Sequence, residues 1–333
     1  MKVVICQGEA IGGRPSREEL IQYWKEQLKT IPEIDEVVFH DGFHVQKRDE
    51  IAGDADALLG VWIQEWCDDA FFLKHPRLRY LASFAHGYGE FDRDIAAKHH
   101  VTMTNTIYGD VTIAQFAMAL LLDICHNIRL QDEYYKKCMD LHQVIGSGGG
   151  PRVQSRQIEL FGKTIGIIGL GNIGLWTARM AAGFGMKPIA FSNHKKTGEK
   201  YDFIEQVELE ELLLRSDVIS IHCPLTKESY HMINQKTIAM MKDGVILINT
   251  ARGGIIDEAD LKAALDSGKI YAAGLDVVDQ EPLRERCALM DCSNAVITPH
   301  IAWAPEEARY RTIRVAAENL KNWINGMPTS VIA

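Results

Sequence analysis

The amino-acid sequence predicts an α/β protein built on two doubly wound parallel sheets, and three observations carry that expectation. Short β-branched runs alternate with polar, helix-compatible stretches along most of the chain, which implies parallel strands with helices on the sheet faces. One of these runs, Thr164 to Ile168, ends in a glycine-rich turn and is followed by a helix-like segment. At 333 residues the chain is also too long for one average domain and suits two.

In the first hundred residues, Lys2 to Cys6 reads as a strand and Arg17 to Leu28 as a helix. Glu36 to Phe39, Ala57 to Trp62 and Tyr80 to Phe84 read as further strands. His86, Gly87, Tyr88 and Gly89 follow the last of them, at the carboxyl end of a parallel strand, where crevices form. Backbone N–H groups in such a loop can hold a carboxylate, or the loop can be a plain connection. Asp92 has the character of a helix N-cap before Arg93 to His99, and Val101 to Asn105 is another strand. Gly109 and Asp110 then open a long apolar helix that ends near Arg129. Leu130 to Ile158 gives no readable pattern, and Gly146 to Pro151 (GSGGGP) is a flexible surface loop on composition, with no function assigned.

From Thr164 onward the alternation is regular. Strands are expected at Thr164 to Ile168, Lys187 to Phe191, Asp217 to His222, Val245 to Asn249, Tyr271 to Leu275 and Ala295 to Thr298. Polar helices such as Glu208 to Arg215 and Glu258 to Ser267 lie between them. Six strands with crossover helices describe a doubly wound dinucleotide-binding domain. Gly169, Gly171 and Gly174 supply G-x-G-x-x-G ahead of the helix Ile173 to Phe184. The first glycine allows the tight turn, the second lets a pyrophosphate approach the backbone, and the third lets helix and strand pack closely. A helix start adds unpaired N–H groups and the positive end of its dipole, which suit an anion. The final helix, Glu306 to Trp323, is placed to return to the first domain. That domain is then discontinuous, with two crossings near 105–110 and 299–305 that form a hinge.

Composition excludes several classes. Hydrophobic residues at 47% and charged residues at 24% are ordinary globular values, so a sizeable core is available. The net charge is −9 with no basic block, which argues against nucleic acid. Seven cysteines without a CxxC pair, behind no secretory leader, fit reduced thiols and a cytoplasmic setting. No segment is long and apolar enough for a membrane span. The twelve histidines show no zinc spacing such as HExxH, so no metal is expected, and a Gly-x-Ser-x-Gly nucleophile motif is absent.

Polar residues cluster just beyond the apolar runs, which in a parallel sheet is a single edge. These segments are Gly169 to Gly174, Ser192 to Lys196, His222 with Pro224, Thr250 to Gly254, Asp276 to Glu281, and His300. Arg252, in NTARGG, follows a strand too apolar to favour a stray charge, and its planar fork suits a carboxylate and a polarised carbonyl together. His300, in ITPHIAW, follows the last strand, and Glu281, in DQEP, could hydrogen-bond it, orient its ring and favour its protonated form. A surface salt-bridge arginine and a structural histidine are the plain alternatives.

GLGNIG, NTARGGIIDE, GLDVVDQEP and TPHIAW, in this order, resemble the D-isomer-specific 2-hydroxyacid dehydrogenase family, from about Tyr80 to the end of the chain. The resemblance implies that Arg252 binds the substrate carboxylate and carbonyl, His300 is the acid/base and Glu281 partners it. It implies a substrate site of His86, Gly87, Arg252, His300 and Trp303. It further implies a cofactor site of Gly169, Gly171, Asn172, Ile173, Gly174, Ser192, Asn193, His194, Lys195, His222, Pro224, Thr250, Ala251, Arg252, Asp276 and His300, with Thr112 at the start of the long helix. In that site Asp276 would meet the nicotinamide amide. PHIAWAPEEAR is similar to the hydroxypyruvate reductase (glycerate dehydrogenase) branch, in which the tryptophan at Trp303 borders the substrate; interdomain packing is the alternative for that residue. The resemblance also suggests a homodimer built through the dinucleotide domain, including the helix after Gly109.

One departure bears on the cofactor. An NAD-preferring fold carries an acidic residue about 20 positions beyond the glycines, for the ribose 2′-OH. Here Phe191 is followed by Ser192, Asn193, His194, Lys195 and Lys196, with no acid. Hydroxyl, amide and cationic groups favour a 2′-phosphate, so NADP(H) is expected over NAD(H); a solvated basic loop is the alternative. The expected architecture is a flavodoxin-like substrate domain, 1–107 plus 302–333, and a Rossmann dinucleotide domain, 108–301, with a cleft between them. The expected activity is hydride transfer between NAD(P)H and C2 of a small 2-oxo acid such as hydroxypyruvate or glyoxylate. The competing reading is a nicotinamide-sensing, corepressor-like binding protein of the same fold.

Overall fold

The computed structural model describes residues 1–87, 91–141 and 153–333. Tyr88, Gly89 and the Gly146 to Pro151 loop lie outside the described residues. The chain divides into two compact units, Met1–Gly109 with Ala304–Ala333, and Asp110–Trp303.

The first unit holds strands β1 (Lys2–Cys6), β2 (Glu36–His40), β3 (Ala57–Gly60), β4 (Tyr80–Ser83) and β5 (Thr102–Asn105), with helices α1 (Arg17–Leu28), α2 (Arg48–Ala52), α3 (Asp69–Lys74) and α4 (Arg93–Lys98). All neighbours pair in parallel, in the order β2-β1-β3-β4-β5, which is the flavodoxin-like winding. Ser16 and Glu19 form a capping box that starts α1. Asp92 caps α4 through the N–H groups of Asp94 and Ile95. The strand expected over Ala57 to Trp62 stops at Gly60, because Trp62 is left-handed (φ 55°) and opens a 3₁₀ turn. The C-terminal helix, Glu306–Ile324, buries Ile313, Ala316 and Leu320 in one cluster with Trp24, Tyr80 and Phe84. Fully burying side chains of this size contributes about 1.5–3 kcal/mol each, which holds a sequence-distant helix on this sheet. The last residues add an antiparallel edge to β5, with the Met103 N–H donating to the Ala333 carbonyl at 2.8 Å.

The second unit begins with helices α5 (Asp110–His126) and α6 (Ile128–Asp140), where one continuous helix was expected to end near Arg129. Asn127 takes a left-handed conformation, φ 46°, and breaks it. Asparagine tolerates that region better than most residues. Helix α6 fills part of the stretch that has no legible pattern, because its apolar side chains, among them Ile128, Tyr135 and Met139, are exposed.

Seven parallel strands follow: β6 (Thr164–Ile168), β7 (Lys187–Phe191), β8 (Glu205–Gln206), β9 (Val218–Ile221), β10 (Val245–Asn249), β11 (Ile270–Leu275) and β12 (Ala295–Ile297). Their order is β12-β11-β10-β9-β6-β7-β8. The chain winds outward from β6 on one side, then returns to β9 on the other, which is the Rossmann winding with a seventh strand. Strand β8 was not foreseen, since two residues carry no periodicity. It is fixed by the Gln206 side chain, which accepts from the Lys196 N–H at 2.7 Å and donates to the Lys196 carbonyl at 2.8 Å. Helices α5 and α7 (Asn172–Gly183) cover one face, with Leu121, Cys125, Leu175 and Ala178 against Ile165 and Ile167. Helices α8 (Leu209–Arg215), α9 (Gln235–Met240) and α10 (Glu258–Ser267) cover the other, with Leu212, Ile238 and Leu261 against Ile219 and Ile221. Both faces of the sheet are thereby sealed, leaving its strand ends as the place for polar groups.

Candidate active site

Strand register defines the site. Phe191, Ile168, Ile221, Asn249, Leu275 and Ile297 are successive partners across the seven-stranded sheet. The residues that immediately follow them, Ser192, Gly169, His222, Thr250, Asp276 and Thr298, therefore line one carboxyl edge. The winding reverses between β6 and β9, so Gly169 and His222 flank the switch point, where ligands of open α/β sheets bind.

Gly169 has φ +99°, and a Cβ there would lie 2.5 Å from the Cys223 nitrogen. A Cβ on Gly174 would lie 2.2 Å from the Gly169 carbonyl oxygen, so both glycines are required by turn and packing. Gly171 faces open space and precedes α7 without a side-chain cap. The N–H groups of Asn172, Ile173 and Gly174 in the first turn of α7 are thus available to an anion. After β7, Asn193, His194 and Lys195 are exposed, and among the described residues no carboxylate pairs with Lys195 or Lys196 within salt-bridge distance.

Arg252 rides on a fixed turn. Asn249, fully buried at the end of an apolar strand, accepts from the Ala251 N–H and donates to the Arg252 carbonyl, both at 2.9 Å. The segment beyond is held by the His231 N–H donating to the Gly254 carbonyl and by a parallel bridge between Ile233 and Ile256. Nη1 of Arg252 donates to the Ala251 carbonyl at 2.7 Å, and its other N–H groups have no partner among the described residues. Burial lowers the guanidinium's pKa, and the nearby Glu281 charge counters that.

His300 and Glu281 meet at 2.6 Å, Nδ1 to Oε2. Both side chains are about one-third exposed, at 36% and 34%. Burial alone would raise the Glu281 carboxyl, yet the His300 bond and charge, the Val278 N–H and Arg252 outweigh it and hold the group below the ordinary carboxylate range. With Nδ1 committed, Nε2 of His300 is the ring atom left for chemistry. The residue has φ 53°, and its N–H donates to the Asp276 carbonyl at 2.9 Å.

Asp276 supports that loop further. Its Oδ1 accepts from Thr298 Oγ1 at 2.6 Å and from the Ile301 N–H at 2.9 Å, and its Oδ2 accepts from the Ala302 N–H at 2.8 Å. Burial raises its pKa against the pull of those three donors. Sequence reasoning missed this role, and it missed Asn249, although a polar residue closing the run VILIN is a visible signal. Thr298 and Ser220 were missed as well.

Two polar atoms on this edge are buried without a partner among the described residues, His222 Nδ1 and Thr250 Oγ1. Burial pushes the His222 imidazole down to about 3, so the ring is neutral. Pro224 and Ala251 lie on the loops after β9 and β10, and Thr112 is buried in the first turn of α5. Trp303 closes the second unit and is partly buried. His86 and Gly87 belong to the first unit, after β4, where the His86 carbonyl accepts from Asn105 Nδ2 at 2.7 Å. Among the described residues no cluster of histidine, cysteine or acidic groups could hold a metal ion.

Comparison with known proteins adds four likenesses. Residues 118–302 match the family model described as D-isomer specific 2-hydroxyacid dehydrogenase, NAD binding domain. The chain is 40% identical to the hydroxypyruvate reductase of Blautia hydrogenotrophica, over 78% of this chain and 80% of that protein. It is 38% identical to the glyoxylate reductase of Thermococcus litoralis, over 82% of each. Among solved structures, a D-lactate dehydrogenase from Treponema pallidum superposes with a TM-score of 0.79 at 27% identity, covering 100% of both chains.

Proposed function

The chain belongs to the D-isomer specific 2-hydroxyacid dehydrogenase family, and from that premise we propose that it reduces small 2-oxo acids, hydroxypyruvate or glyoxylate, to the D-2-hydroxy acid with NADPH. The observation that carries the reading is the joint arrangement of Arg252, Glu281 and His300 on loops fixed by buried polar side chains. The residues present fit a nicotinamide dinucleotide, since the Gly171 face is open and the edge carries unpartnered buried polar atoms at His222 and Thr250. Gly169 to Gly174 would hold the pyrophosphate, and Asp276, which has no exposed surface and already accepts three hydrogen bonds, would act on the nicotinamide end through the loop it fixes. Ser192, Asn193, His194 and Lys195 would take a 2′-phosphate, because hydroxyl, amide and cationic groups favour it and no carboxylate repels it.

The bound cofactor supplies a hydride for C2 of the substrate. Arg252 directs its unengaged N–H groups to the substrate carboxylate and carbonyl oxygen, and so stabilises the charge that develops on that oxygen. His300 delivers a proton to the same oxygen from Nε2, while Glu281 accepts from Nδ1, fixes the ring and stabilises the imidazolium form. Backbone N–H groups of His86 and Gly87 would bind the carboxylate, and Trp303 would border the substrate. We also read the protein as a homodimer through the dinucleotide domain. Ile128, Tyr135, Met139 and Leu141, on and just beyond α6, expose apolar surface that a second copy would cover. All seven cysteines are free, which fits a reducing, cytoplasmic setting.

Steady-state kinetics with glyoxylate, hydroxypyruvate, pyruvate and bulkier 2-oxo acids, each with NADPH and NADH, tests the proposal. The expected outcome is the highest kcat/KM for the two smallest polar substrates with NADPH. No cofactor oxidation across the panel, with dinucleotide binding intact, would point to a sensor of nicotinamide redox state.

A further inference from the structure

Ser220 and His222 are two apart on and just beyond β9, so both side chains leave the same side of the strand. Ser220 is buried, and its Oγ lies 2.9 Å from His222 Nε2, its one polar partner among the described residues. The rest of the His222 residue keeps partial exposure, but its Nδ1 is closed to solvent and has no partner among the described residues.

The direction of the 2.9 Å bond follows from counting protons. A serine hydroxyl has one proton and two lone pairs, and a neutral imidazole has one N–H and one acceptor nitrogen. If Nε2 carried the ring proton and donated to Oγ, the serine proton would point at nothing and the Nδ1 lone pair would also stay unused. If the serine donates to Nε2, its proton is satisfied and a single orphan remains, an N–H at Nδ1. A ligand at Nδ1 could satisfy that nitrogen in either arrangement, but only the second also satisfies the serine.

We propose that Ser220 is a positioning residue: it locks His222 in the Nδ1–H tautomer, so that the edge beside the glycine turn presents a donor to an acceptor oxygen of the bound dinucleotide. The ligand half of this inference rests on the dinucleotide reading above; the tautomer half does not. Thr250, one strand over in the same row, offers the second unsatisfied group, and Gly169 packs against the His222 carbonyl carbon at 2.7 Å from its would-be Cβ.

Long-range ¹H–¹⁵N correlation on the ligand-free protein, labelled at histidine, reads the tautomer directly, and fluorescence titration reads NADPH and NADH binding. The wild type is expected to show the Nδ1–H pattern for His222. Ser220→Ala should mix the two tautomers and weaken binding of both dinucleotides roughly two- to tenfold, the worth of one hydrogen bond. Ser220→Thr, which keeps the hydroxyl, should restore both readouts. In a His222→Asn background the amide nitrogen supplies a donor at the Nδ1 position without help from the serine, so Ser220→Ala should there cost nothing further. An Nε2–H pattern in the wild type overturns the proposal, as does a Ser220→Ala loss that persists unchanged in the His222→Asn background. A wild type with the Nδ1–H pattern that binds neither dinucleotide would instead defeat the dinucleotide reading, leaving the tautomer lock in place.

Discussion

Two kinds of loop leave the same edge of the seven-stranded sheet. Those after β10 and β12 are tied to buried side chains: Asn249 grips the Arg252 turn, and Asp276 grips the His300 loop through three donors. The loop after β7 has its middle residues, Asn193 to Lys195, in solvent, and Gln206 holds it by two bonds at Lys196. On the function proposed above, the difference follows from what each would bind. A proton donor and a guanidinium aimed at one reacting centre lose their value with small displacements. Recognition of a phosphate by cations in water tolerates movement, because the attraction is weakly directional and screened.

If the contrast holds, damage to the gripped loops costs chemistry and stability, whereas damage to the solvated loop costs neither. The largest effect is expected from His300→Ala, which should lower kcat by about 10²- to 10⁴-fold while titration shows dinucleotide affinity retained. Equal loss of both would mean that the imidazole acts by holding the cofactor. Arg252→Gln should follow, with kcat/KM down by about 10²- to 10³-fold as oxyanion stabilisation is lost. Gly253→Ala tests the gripping itself: a Cβ there would lie 1.9 Å from the Val278 carbonyl carbon. Backbone would have to move, at a cost of about 1–3 kcal/mol read as a lowered Tm. An unchanged Tm would show that the turn is softer than its bonds suggest.

Smaller changes sharpen the same contrast. The folded-state pKa of Glu281 is held low, so its interactions stabilise the fold above the ordinary carboxylate range and are lost as pH falls through the folded-state value. Urea midpoints measured down an acid series should therefore fall less steeply for Glu281→Gln than for the wild type. The smallest effect belongs to Lys195→Ala with Lys196→Ala, which should weaken NADPH binding several-fold at low salt. Tm, kcat and NADH binding should be unaffected. A Tm drop in that variant would mean the loop is not the free element described above.

The same physics decides what the sequence discloses. Strands such as Thr164–Ile168 and Val245–Asn249 are legible because burial on both faces demands unbroken β-branched runs. Arg252, Glu281 and His300 are legible because a charge beside such a run stands out. Helix α6 is not, since its apolar residues face solvent and give no core-facing stripe, and the break at Asn127 rests on one backbone conformation that several sequences could adopt. Asp276 reads naturally as a group facing a ligand; that three donors converge on it depends on where a segment about 25 residues later returns. Ser220 was hidden for a related reason, because a serine inside a strand is unremarkable until the ring two residues on is seen to turn back on it.

The Asp276 carboxylate has one further consequence. The amide protons of Ile301 and Ala302 belong to no helix or ladder, yet both end on that carboxylate, sealed beneath the sheet edge. In deuterated buffer they should be retained far longer than a loop of irregular backbone would suggest, opening only when the whole second unit opens. The segment that carries the imidazole should thus exchange like core, although it looks like surface.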